Sequence, residues 1–493
     1  MARQSFNISK LDVGLVTNLP INQVIWADGR NISFKPGEVY KILGKTLLTI
    51  TDNTPIRATF TFKGYDNVWR TITCKDTKIY SYTNNFTQNK DISPAIPPSS
   101  IATDTWLFGL IGGVPIISNG VNSTWKWDNY ASIVTPISGI PQICKALAVI
   151  NNRLVVGDIV EGGYSFPARI RWSDIIKPAG AGWARDLKLS SGMKDCISPH
   201  TSREGIDRIQ AITNIDNRLV GFTERNIWFG NHVEFPEIYS FAPLDQNIGL
   251  VARKAFAKTP YGLFFMGHDD FYKIVEGVPQ PIGFKIRNFI FENINKNAIN
   301  TSFSYYKPTL KEVFFCVPFK DSTTPNLAVV YQIETDSFSF QEVDYTCHTQ
   351  YFTDTGILPF EAVANISGQI LKQDDGFNNN GQPIDAWIQS GAIALTDSKG
   401  NSLEDINKII YEIWPGLKAQ ESINEIMIQV GTADNLHEDI TWSLPVAYTI
   451  GISRNANFRK RGKWLYLKFF SDTLNSPWAM ESWKMKFDIG SSR

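Results

Sequence analysis

The runs TERNIW at Thr223–Trp228 and GHDDFY at Gly267–Tyr272 decide the fold, because they repeat one pattern 44 positions apart. Each places four turn-compatible residues before an apolar residue and an aromatic one. KDTKIY at Lys75–Tyr80 is an earlier copy. A polar turn followed by alternating apolar positions is typical of a β-hairpin with one buried face. The pattern therefore predicts a series of hairpins.

The residue that closes this pattern marks a repeat along the chain. Its spacings are 45, 47, 56, 44, 59 and 40, through Tyr80, Trp125, Trp172, Trp228, Tyr272, Tyr331 and Leu371. A second register agrees, since LAVINNRLV at Leu147–Val155 matches ITNIDNRLV at Ile212–Val220. Units of roughly 40 to 50 residues with short alternating strands are typical of propeller blades. We therefore predict an all-β chain with a β-propeller of about seven blades, with six and eight as the alternatives, over residues 46–375.

The two ends of the chain do not follow the repeat. Residues 1–45 carry turn signals rather than a blade, and are a candidate N-terminal segment that packs on the C-terminal part. Residues 382–493 contain longer alternating strands without a repeat, which predicts a C-terminal β-sandwich with a role in assembly. Inside the propeller, the glycine-rich and polar stretches 157–168 and 176–207 are predicted to be loops on one face of the disc.

Composition excludes several classes of protein. Lys plus Arg and Asp plus Glu are 48 each among 493 residues, so the chain is neither a strongly basic nucleic-acid binder nor an acidic solvating protein. Five scattered cysteines predict no disulfide and a reducing compartment. No signal peptide or membrane-spanning run is present, which predicts no membrane insertion.

The sequence contains no nucleotide-binding, zinc-protease or nucleophile-elbow motif. The five histidines are dispersed and are interpreted as turn residues. Four motifs each have a chemical and a structural interpretation. His268-Asp269-Asp270 is either an acid and base or a polar turn, and Asp374–Asn380 is either a calcium loop or a linker. Gly431–Trp442 is either a sialidase-type Asp-box or an unrelated turn, and Arg459–Lys463 is either a phosphate contact or a solvated turn. The structural interpretation is favoured each time. We therefore predict no catalytic residue, no cofactor, no cofactor-binding residue and no metal ligand, and the sequence does not identify DNA-facing residues.

A resemblance to a known family adds to this reading. PARIRWSD at Pro167–Asp174, then Ile212–Trp228 and Gly249–Gly267, resemble the tail nozzle or hub propeller proteins of short-tailed phages, including the packaged-DNA stabilisation family. The likeness continues through Glu312–Tyr331 and reaches Gly462–Phe469 and Trp478. It covers much of the chain as an order of elements.

The resemblance implies a structural virion protein of the phage tail that is not an enzyme and is made in the host cytoplasm. It implies a ring of six copies, a homo-hexamer, below the portal and its adaptor. That ring would contact other tail proteins, retain packaged double-stranded DNA, and form the ejection channel without sequence-specific binding. The contacts that close the ring are expected from residues 382–493 and from the segment before residue 45, because the blades bury their apolar faces against one another.

Two alternatives come from other classes of protein. A carbohydrate-binding tail or adhesin propeller would expose aromatic platforms on one face of the disc. A propeller glycoside hydrolase or lyase would bring carboxylates, histidine or a metal together at the axis, with perturbed pKa values.

Overall fold

The structure, a computed structural model, describes residues 4–23, 25–83, 86–99, 105–175, 191–197, 207–235, 237–244, 246–352, 359–393, 395, 401–404, 406–418 and 424–489. Within these residues the chain forms strands β1 to β40 and one short α-helix, α1 (Arg287–Asn293). Turns of 3-10 helix lie at Ile21–Gln23, Gly283–Lys285 and Ile299–Thr301. The all-β prediction is confirmed.

Residues 4–23 and 25–50, which we call the N-terminal segment from here on, contribute five strands but no sheet of their own, and the last of these strands, except for its first residue, lies within the range 46–375 predicted for the propeller. They are β1 (Gln4–Ile8), β2 (Trp26–Arg30), β3 (Ile32–Lys35), β4 (Glu38–Lys41) and β5 (Lys45–Ile50). Only β3 and β4 pair with each other. The five strands complete sheets whose other strands come from later in the chain.

Seven four-stranded antiparallel sheets follow in the described chain, and each is one blade. Blades one to three contain β6 (Ala58–Lys63), β7 (Trp69–Cys74), β8 (Ile79–Thr83) and β9 (Gln88–Asp91); β10 (Leu107–Ile111), β11 (Val114–Ser118), β12 (Trp125–Lys126) and β13 (Thr135–Pro136); β14 (Ile143–Ile150), β15 (Arg153–Glu161), β16 (Tyr164–Trp172) and β17 (Gly192–Asp195).

Blades four to seven have the same order of strands. They contain β18 (Ile209–Ile215), β19 (Arg218–Thr223), β20 (Ile227–His232) and β21 (Tyr239–Pro243); β22 (Phe256–Thr259), β23 (Gly262–Met266), β24 (Phe271–Val275) and β25 (Val278–Pro281); β26 (Phe303–Lys307), β27 (Glu312–Val317), β28 (Leu327–Gln332) and β29 (Ser337–Glu342); β30 (Cys347–Tyr351), β31 (Phe360–Ala364), β32 (Gln369–Gln373) and, from the N-terminal segment, β5.

The seven residues that mark the repeat all lie in the third strand of a blade, in β8, β12, β16, β20, β24, β28 and β32. The prediction of about seven blades is therefore confirmed. The second repeated run is the hairpin between the first and second strands of blades three and four. Its turns hold Asn151, Asn152 and Asp216 at φ of 52°, 57° and 48°, a conformation that Asn and Asp tolerate in tight hairpins.

The prediction that residues 157–168 form a face loop is wrong. They belong to the long hairpin of β15 and β16, which turns at Gly162 and Gly163 with φ of 59° and 82°. The ladder shifts register at Asp158, a buried bulge residue with φ 46°. The glycine and aspartate thus mark a turn and a bulge rather than a loop. Residues 176–190 and 198–206 lie outside the described residues.

Strand β5 closes the propeller. It pairs with β32 as the outermost strand of blade seven, with Leu47 opposite Leu371 and Thr49 opposite Ile370. Residues 51–57 then lead directly into β6, so one stretch of chain belongs to the last blade and the first. Blade seven also contacts blade one through Thr349, whose hydroxyl accepts a hydrogen bond from the Thr61 amide at 3.1 Å. The pairing with β5 thus covers the outer edge of β32, which would otherwise be left open.

Two six-stranded sheets form the predicted sandwich after the propeller. The first has the order β3, β4, β40 (Ala479–Ile489), β34 (Lys408–Leu417), β38 (Ala456–Gly462), with β1 on β40. The second has the order β2, β33 (Ala386–Ser390), β39 (Trp464–Ser471), β35 (Glu425–Ala433), β36 (Thr441–Trp442), with β37 (Val446–Thr449) on β35. Four of the strands come from the N-terminal segment.

The N-terminal segment also joins the sandwich to blade six. The Leu15 amide donates to the Phe338 carbonyl at 2.8 Å, and the Asn31 amide donates to the Phe340 carbonyl at 2.9 Å. The Arg30 guanidinium lies 5.1 Å from the Phe340 ring of the propeller and 5.8 Å from the Trp387 ring of the sandwich. One hydrophobic core runs through blades four to six, the N-terminal strands and both sandwich sheets. The propeller and the sandwich are therefore packed as a single body.

Candidate functional site

The central axis of the propeller holds an open cavity of about 400 Å³. The first strands of six blades, together with residues directly preceding them, line it. These residues are Ala58, Thr59, Phe60, Trp106, Leu107, Phe108, Leu147, Arg253, Lys254, Phe256, Phe303, Ser304, Tyr305, Thr346, Cys347 and His348. A depression of about 50 Å³ adjoins it and shares Lys254, Phe303 and Thr346 with it. We call the two together the axial cavity.

Arg253 ties three blades together at the axis. Its guanidinium donates to the Lys145 carbonyl of blade three at 2.6 Å and to the Ile209 carbonyl of blade four at 3.3 Å. It also forms an ion pair with Asp158 of blade three at 2.8 Å. Asp158 is 1% exposed, and Arg208 lies 3.5 Å from the same oxygen. Because the carboxylate is buried and the guanidinium compensates it, Arg253 acts as a structural clamp.

Lys254 differs from its neighbour in having no acidic partner. Within the described part of the chain no carboxylate forms an ion pair with it, and the ionisable groups that act on its ammonium are the thiols of Cys347 and Cys74. Burial lowers the pKa of Lys254, and the two thiols act in the opposite direction. The burial of both thiols raises their own pKa values, which keeps them neutral. Lys254 is thus an uncompensated cation at the axis.

His348 of β30 also lines the axial cavity. Its ring stacks on Tyr305 with centroids 3.8 Å apart, and its Nε2 lies 2.5 Å from Glu361 Oε2. Burial lowers the pKa of His348 although Glu361 opposes the shift. The interpretation of every histidine as a turn residue is therefore wrong for His348. The sequence contains no signal for this, because it does not show which strand lies innermost.

A second cavity of about 70 Å³ lies where the N-terminal segment meets blades six and seven. Glu312 of β27 lines it, is 1% exposed, and is hydrogen-bonded to the Ser33 hydroxyl of β3. Burial raises the pKa of Glu312 to about 7, and the nearby Lys307 opposes the shift. Lys307 in turn forms an ion pair with Asp374 at 3.1 Å. This buried polar cluster connects the N-terminal segment to the propeller.

The motif His268-Asp269-Asp270 is a structural turn. Asp270 is 1% exposed, and it accepts hydrogen bonds from the Phe271 and Gly283 amides and pairs with Arg287 at 2.9 Å. The Tyr272 hydroxyl donates to Asp269 at 3.0 Å, and His268 Nε2 lies 2.7 Å from the Glu224 carbonyl of blade four. Glu224, His268, Asp269 and Tyr272 line an open pocket of about 360 Å³ between blades four and five, and Asp270 does not. The two carboxylates and the imidazole of this motif therefore each have a hydrogen-bond or ion-pair partner within the fold.

The other three motifs lie in or beside the sandwich. Asp374 and Asp375 pair with Lys307 and Lys372, and the Gly376 carbonyl accepts from the Gly44 amide at 2.8 Å, so this stretch is attached to the N-terminal segment. Gly431–Trp442 runs from the end of β35 into β36 as a hairpin. The basic cluster is not a solvated turn as predicted, because Arg459–Gly462 lies in the edge strand β38. Edge strands often carry exposed charged side chains, so such charges in the sequence do not distinguish an edge strand from a solvated turn.

The remaining chemical candidates are dispersed. The five cysteines are buried free thiols. His232 and His437 are exposed, and His200 lies outside the described residues. Among the residues that the structure describes, no group of His, Cys, Asp and Glu is arranged to hold a metal ion. The same residues contain no helix long and apolar enough to cross a membrane.

Comparison with solved structures finds 319 similar chains, and two of them are given below. No family model and no curated protein matches the chain. The WD40 domain of Neurospora crassa Pan2 is similar at 8% identity over 68% of this chain and 96% of that one, with a TM-score of 0.39. YCF48 bound to D1 peptide is similar at 8% identity over 68% of this chain and 96% of that one, with a TM-score of 0.38. The assignment of the fold rests on the sheet order described above.

Proposed function

We propose that the chain is a non-enzymatic structural subunit of a phage tail, a nozzle or hub protein that forms a ring, a homo-hexamer, below the portal and adaptor. The ring retains packaged double-stranded DNA and later guides its ejection. The resemblance of the blade sequences to that family motivates the proposal. One structural observation, a basic face on the sandwich, supports it most directly.

The basic face is the outward side of the first sandwich sheet. Side-chain alternation along β38 and β40 places four cations on this side, Arg459, Arg461, Lys484 and Lys486, and Arg454, just before β38, lies over the ring of Trp414 in β34. Two carboxylates, Glu412 and Asp488, lie on the same side within the described chain, and β40 also exposes Glu481, which pairs with Lys418 at 3.2 Å. The whole chain is neutral, with 48 basic and 48 acidic residues, so the excess of positive charge is local.

Trp414 organises the centre of the basic face. Arg454 lies 5.2 Å and Lys486 4.7 Å from its ring, which holds both cations by cation–π contact. The Trp414 indole donates to Glu412 at 2.9 Å, and Lys486 pairs with the same carboxylate at 2.8 Å. Cations held on a flat sheet contact phosphates without reading bases. A neutral chain with one such face suits a conduit, since the DNA must be held and then slide.

The axis of a single propeller does not provide the DNA path. Its cavity measures about 400 Å³ and is walled by packed side chains, whereas a B-form duplex is about 20 Å across. The DNA therefore passes through the centre of the ring, between copies of the subunit. Contacts between copies come from the sandwich, which exposes Leu444 at 87% and Ile452 at 68%. Large exposed apolar side chains of this kind are typical of interaction surfaces.

Electron microscopy of the purified full-length protein tests the ring. We expect closed rings with a central hole of at least about 20 Å. Leu444→Asp combined with Ile452→Asp disperses the rings into monomers, because charges replace apolar contacts. Ile96→Asp, at an equally exposed residue of the propeller (82%), is the matched control and leaves them intact. A monomer at every concentration, or cleavage of a glycan by the purified protein, contradicts the proposal.

Duplex binding at several salt concentrations tests the basic face. For a 30-base-pair duplex of arbitrary sequence we expect weak binding whose affinity falls with salt. Arg459→Ala with Arg461→Ala lowers the slope of log K against log salt by about 1.8, since each phosphate contact contributes about 0.9. Arg218→Ala, at an exposed position in blade four, leaves the slope unchanged. Equal slopes for the double variant and the wild type would remove the role of this face.

A further inference from the structure

The charge of the axial cavity is unbalanced. Its lining among the described residues includes three cations, Arg57, Arg253 and Lys254, and no Asp or Glu. Asp76 neutralises Arg57 with contacts of 2.8 and 3.2 Å, and Asp158 neutralises Arg253 at 2.8 Å. Lys254 remains without a carboxylate partner in the described chain. One positive charge at the axis is therefore available to a ligand.

Holding this charge is costly to the protein. The ammonium of Lys254 loses part of its hydration, which lowers its pKa, and the thiols of Cys347 and Cys74 are weak compensation because both stay neutral. A buried cation normally acquires an anionic partner or loses its proton. An anion bound beside Lys254 would offset the desolvation and restore the charged form. The lysine thus favours a negatively charged occupant.

Unsatisfied hydrogen-bonding groups surround the same lysine. The hydroxyls of Ser302 and Ser304 and the indole nitrogen of Trp106 are buried without a hydrogen-bond partner in the described chain. All three residues line the axial cavity. The depression beside Lys254 is also lined by Thr105, Thr323 and Thr324, whereas the hydroxyls of Thr301 and Thr346, on the same lining, already donate to backbone carbonyls. Buried polar groups are nearly always paired in folded proteins, so this set indicates a missing partner rich in acceptors.

Aromatic side chains also line the axial cavity. Phe60 of blade one stacks on Phe108 of blade two with centroids 5.0 Å apart and planes at 3°. Phe256 and Phe303 also line the cavity. Aromatic rings arranged in this way bind a planar ring by offset or edge-to-face contact. The cavity therefore combines one cation and several hydroxyl groups with aromatic side chains.

We propose that the axial cavity binds a small organic anion, a carboxylate or phosphate monoester carried on a planar ring. The ammonium of Lys254 is its charge partner, the hydroxyls donate hydrogen bonds to its oxygens, and the phenyl rings contact its body. The volume of about 400 Å³ lies in the range of small-molecule sites and excludes a duplex. This site goes beyond the proposed ring function and does not depend on it.

Calorimetry on the full-length protein with four probes tests the site: benzoate, phenyl phosphate, inorganic phosphate and neutral benzyl alcohol. We expect the two aromatic anions to bind most tightly, and their ratio identifies the preferred acid group. Lys254→Met weakens both at least about tenfold, which corresponds to one lost charged contact of about 1.4 kcal/mol. Lys258→Met is the matched control, because Lys258 is an exposed lysine of the same blade whose ammonium contacts Asn214 at 3.0 Å. It changes binding less than twofold.

A labelling experiment on the unaltered protein covers the case in which Lys254→Met does not fold. Trace acetic anhydride modifies each lysine at a rate set by its neutral fraction and its accessibility. Saturating phenyl phosphate or benzoate should slow the modification of Lys254 at least about fivefold and leave Lys258 unchanged. The proposal is overturned if no aromatic anion binds at about 10 mM, if Lys254→Met binds like the wild type, or if Lys254 is labelled equally with and without anion.

Discussion

Blades one to six and blade seven are built in different ways. Each of the first six takes four strands from one consecutive stretch of chain, so its pairings are local. Blade seven takes three strands from residues 347–373 and the fourth, β5, from residues 45–50. The sandwich is also built from distant parts of the chain, because β1 to β4 lie in the same two sheets as the strands that follow residue 385. The repeat therefore determines the blades, whereas the N-terminal segment determines how they close.

The largest effect is expected from breaking β5. Proline at Leu47 and Leu48 removes at least one amide that faces β32, since adjacent amides point to opposite sides of a strand. We expect a loss of at least about 4 kcal/mol in the free energy of unfolding, because the closing strand of the whole ring is lost. Urea denaturation followed by tryptophan fluorescence measures it.

The control for this prediction is the outermost strand of an ordinary blade. Proline at Asn89 and Lys90 breaks β9, the equivalent strand of blade one. It frays one edge and lowers the stability by about 1 to 2 kcal/mol, as for one or two lost hydrogen bonds. Equal losses in the two variants would mean that β5 has no special role in closure.

The second effect concerns the pH dependence at the junction of the N-terminal segment with blade six. Burial raises the pKa of Glu312 from 4.5 to about 7 in the folded state. Between these two pH values the folded state holds a proton that the unfolded state has released. The contribution of Glu312 to the free energy of unfolding is therefore fully present below about pH 4.5, and it is lost as the pH rises to about 7. Glu312→Gln should remove this loss and be more stable than the wild type by up to about 3 kcal/mol at pH 8.

Thermal unfolding at pH 5 and pH 8 checks the prediction for Glu312. Glu334→Gln is the control, because Glu334 is 42% exposed in its ion pair with Lys311. That substitution changes stability by less than about 1 kcal/mol at either pH, as expected for an exposed pair. A Glu312→Gln variant whose advantage does not grow with pH would show that the carboxyl group stays ionised.

The third effect isolates the side chain of Asn31. Its amide nitrogen donates to the Asp385 carbonyl at 2.7 Å, and its oxygen accepts from the Glu342 amide at 2.8 Å, so it joins blade six to the sandwich. Asn31→Ala should cost about 2 kcal/mol more than Asn67→Ala in chemical denaturation. Asn67 is the control because its φ of 62° is close to the 55° of Asn31, so both have the same backbone strain. The side chain of Asn67, unlike that of Asn31, is exposed. Similar losses would assign the effect to the backbone alone.

The fourth and smallest effect compares two glycines. A Cβ at Gly14 would lie 2.7 Å from the Phe338 amide nitrogen and from Ser337 Cβ of blade six, whereas a Cβ at Gly37 would meet nothing within 4 Å. Both have positive φ, 77° and 82°. Alanine at Gly37 therefore measures the backbone strain, and alanine at Gly14 adds overpacking of about 1 to 2 kcal/mol. If the two variants have the same melting temperature, the segment does not dock tightly on blade six.

The sequence predicted the local part of the fold well. The aromatic markers from Tyr80 to Tyr331 recur because the third strand of each blade needs a large side chain in the packing between blades. This requirement is local and periodic, so it is visible in one sequence. The position of β5 has no such periodicity. Only the tertiary pairing of Leu47 with Leu371 reveals it.

The axial cavity was not visible in the sequence for a related reason. Lys254 and His348 lie 94 positions apart in ordinary alternating stretches, and no motif links them. Both line the axial cavity because each belongs to or directly precedes the innermost strand of a blade. Similarly, the sequence around Arg459 was interpreted as a turn because charged residues are common both in turns and on strands at the edge of a sheet. The chemistry of this protein depends on which strand faces the axis, and strand order cannot be read from local pattern.

Hydrogen–deuterium exchange of the full-length protein shows whether the N-terminal segment closes the propeller and joins it to the sandwich. We predict that amides of β5 exchange on the same timescale as those of β32 and of β27 in blade six. All of them should open together by global unfolding. If β5 exchanged within seconds while β27 stayed protected for hours, the segment would be a loosely attached strand and the closure described here would be wrong.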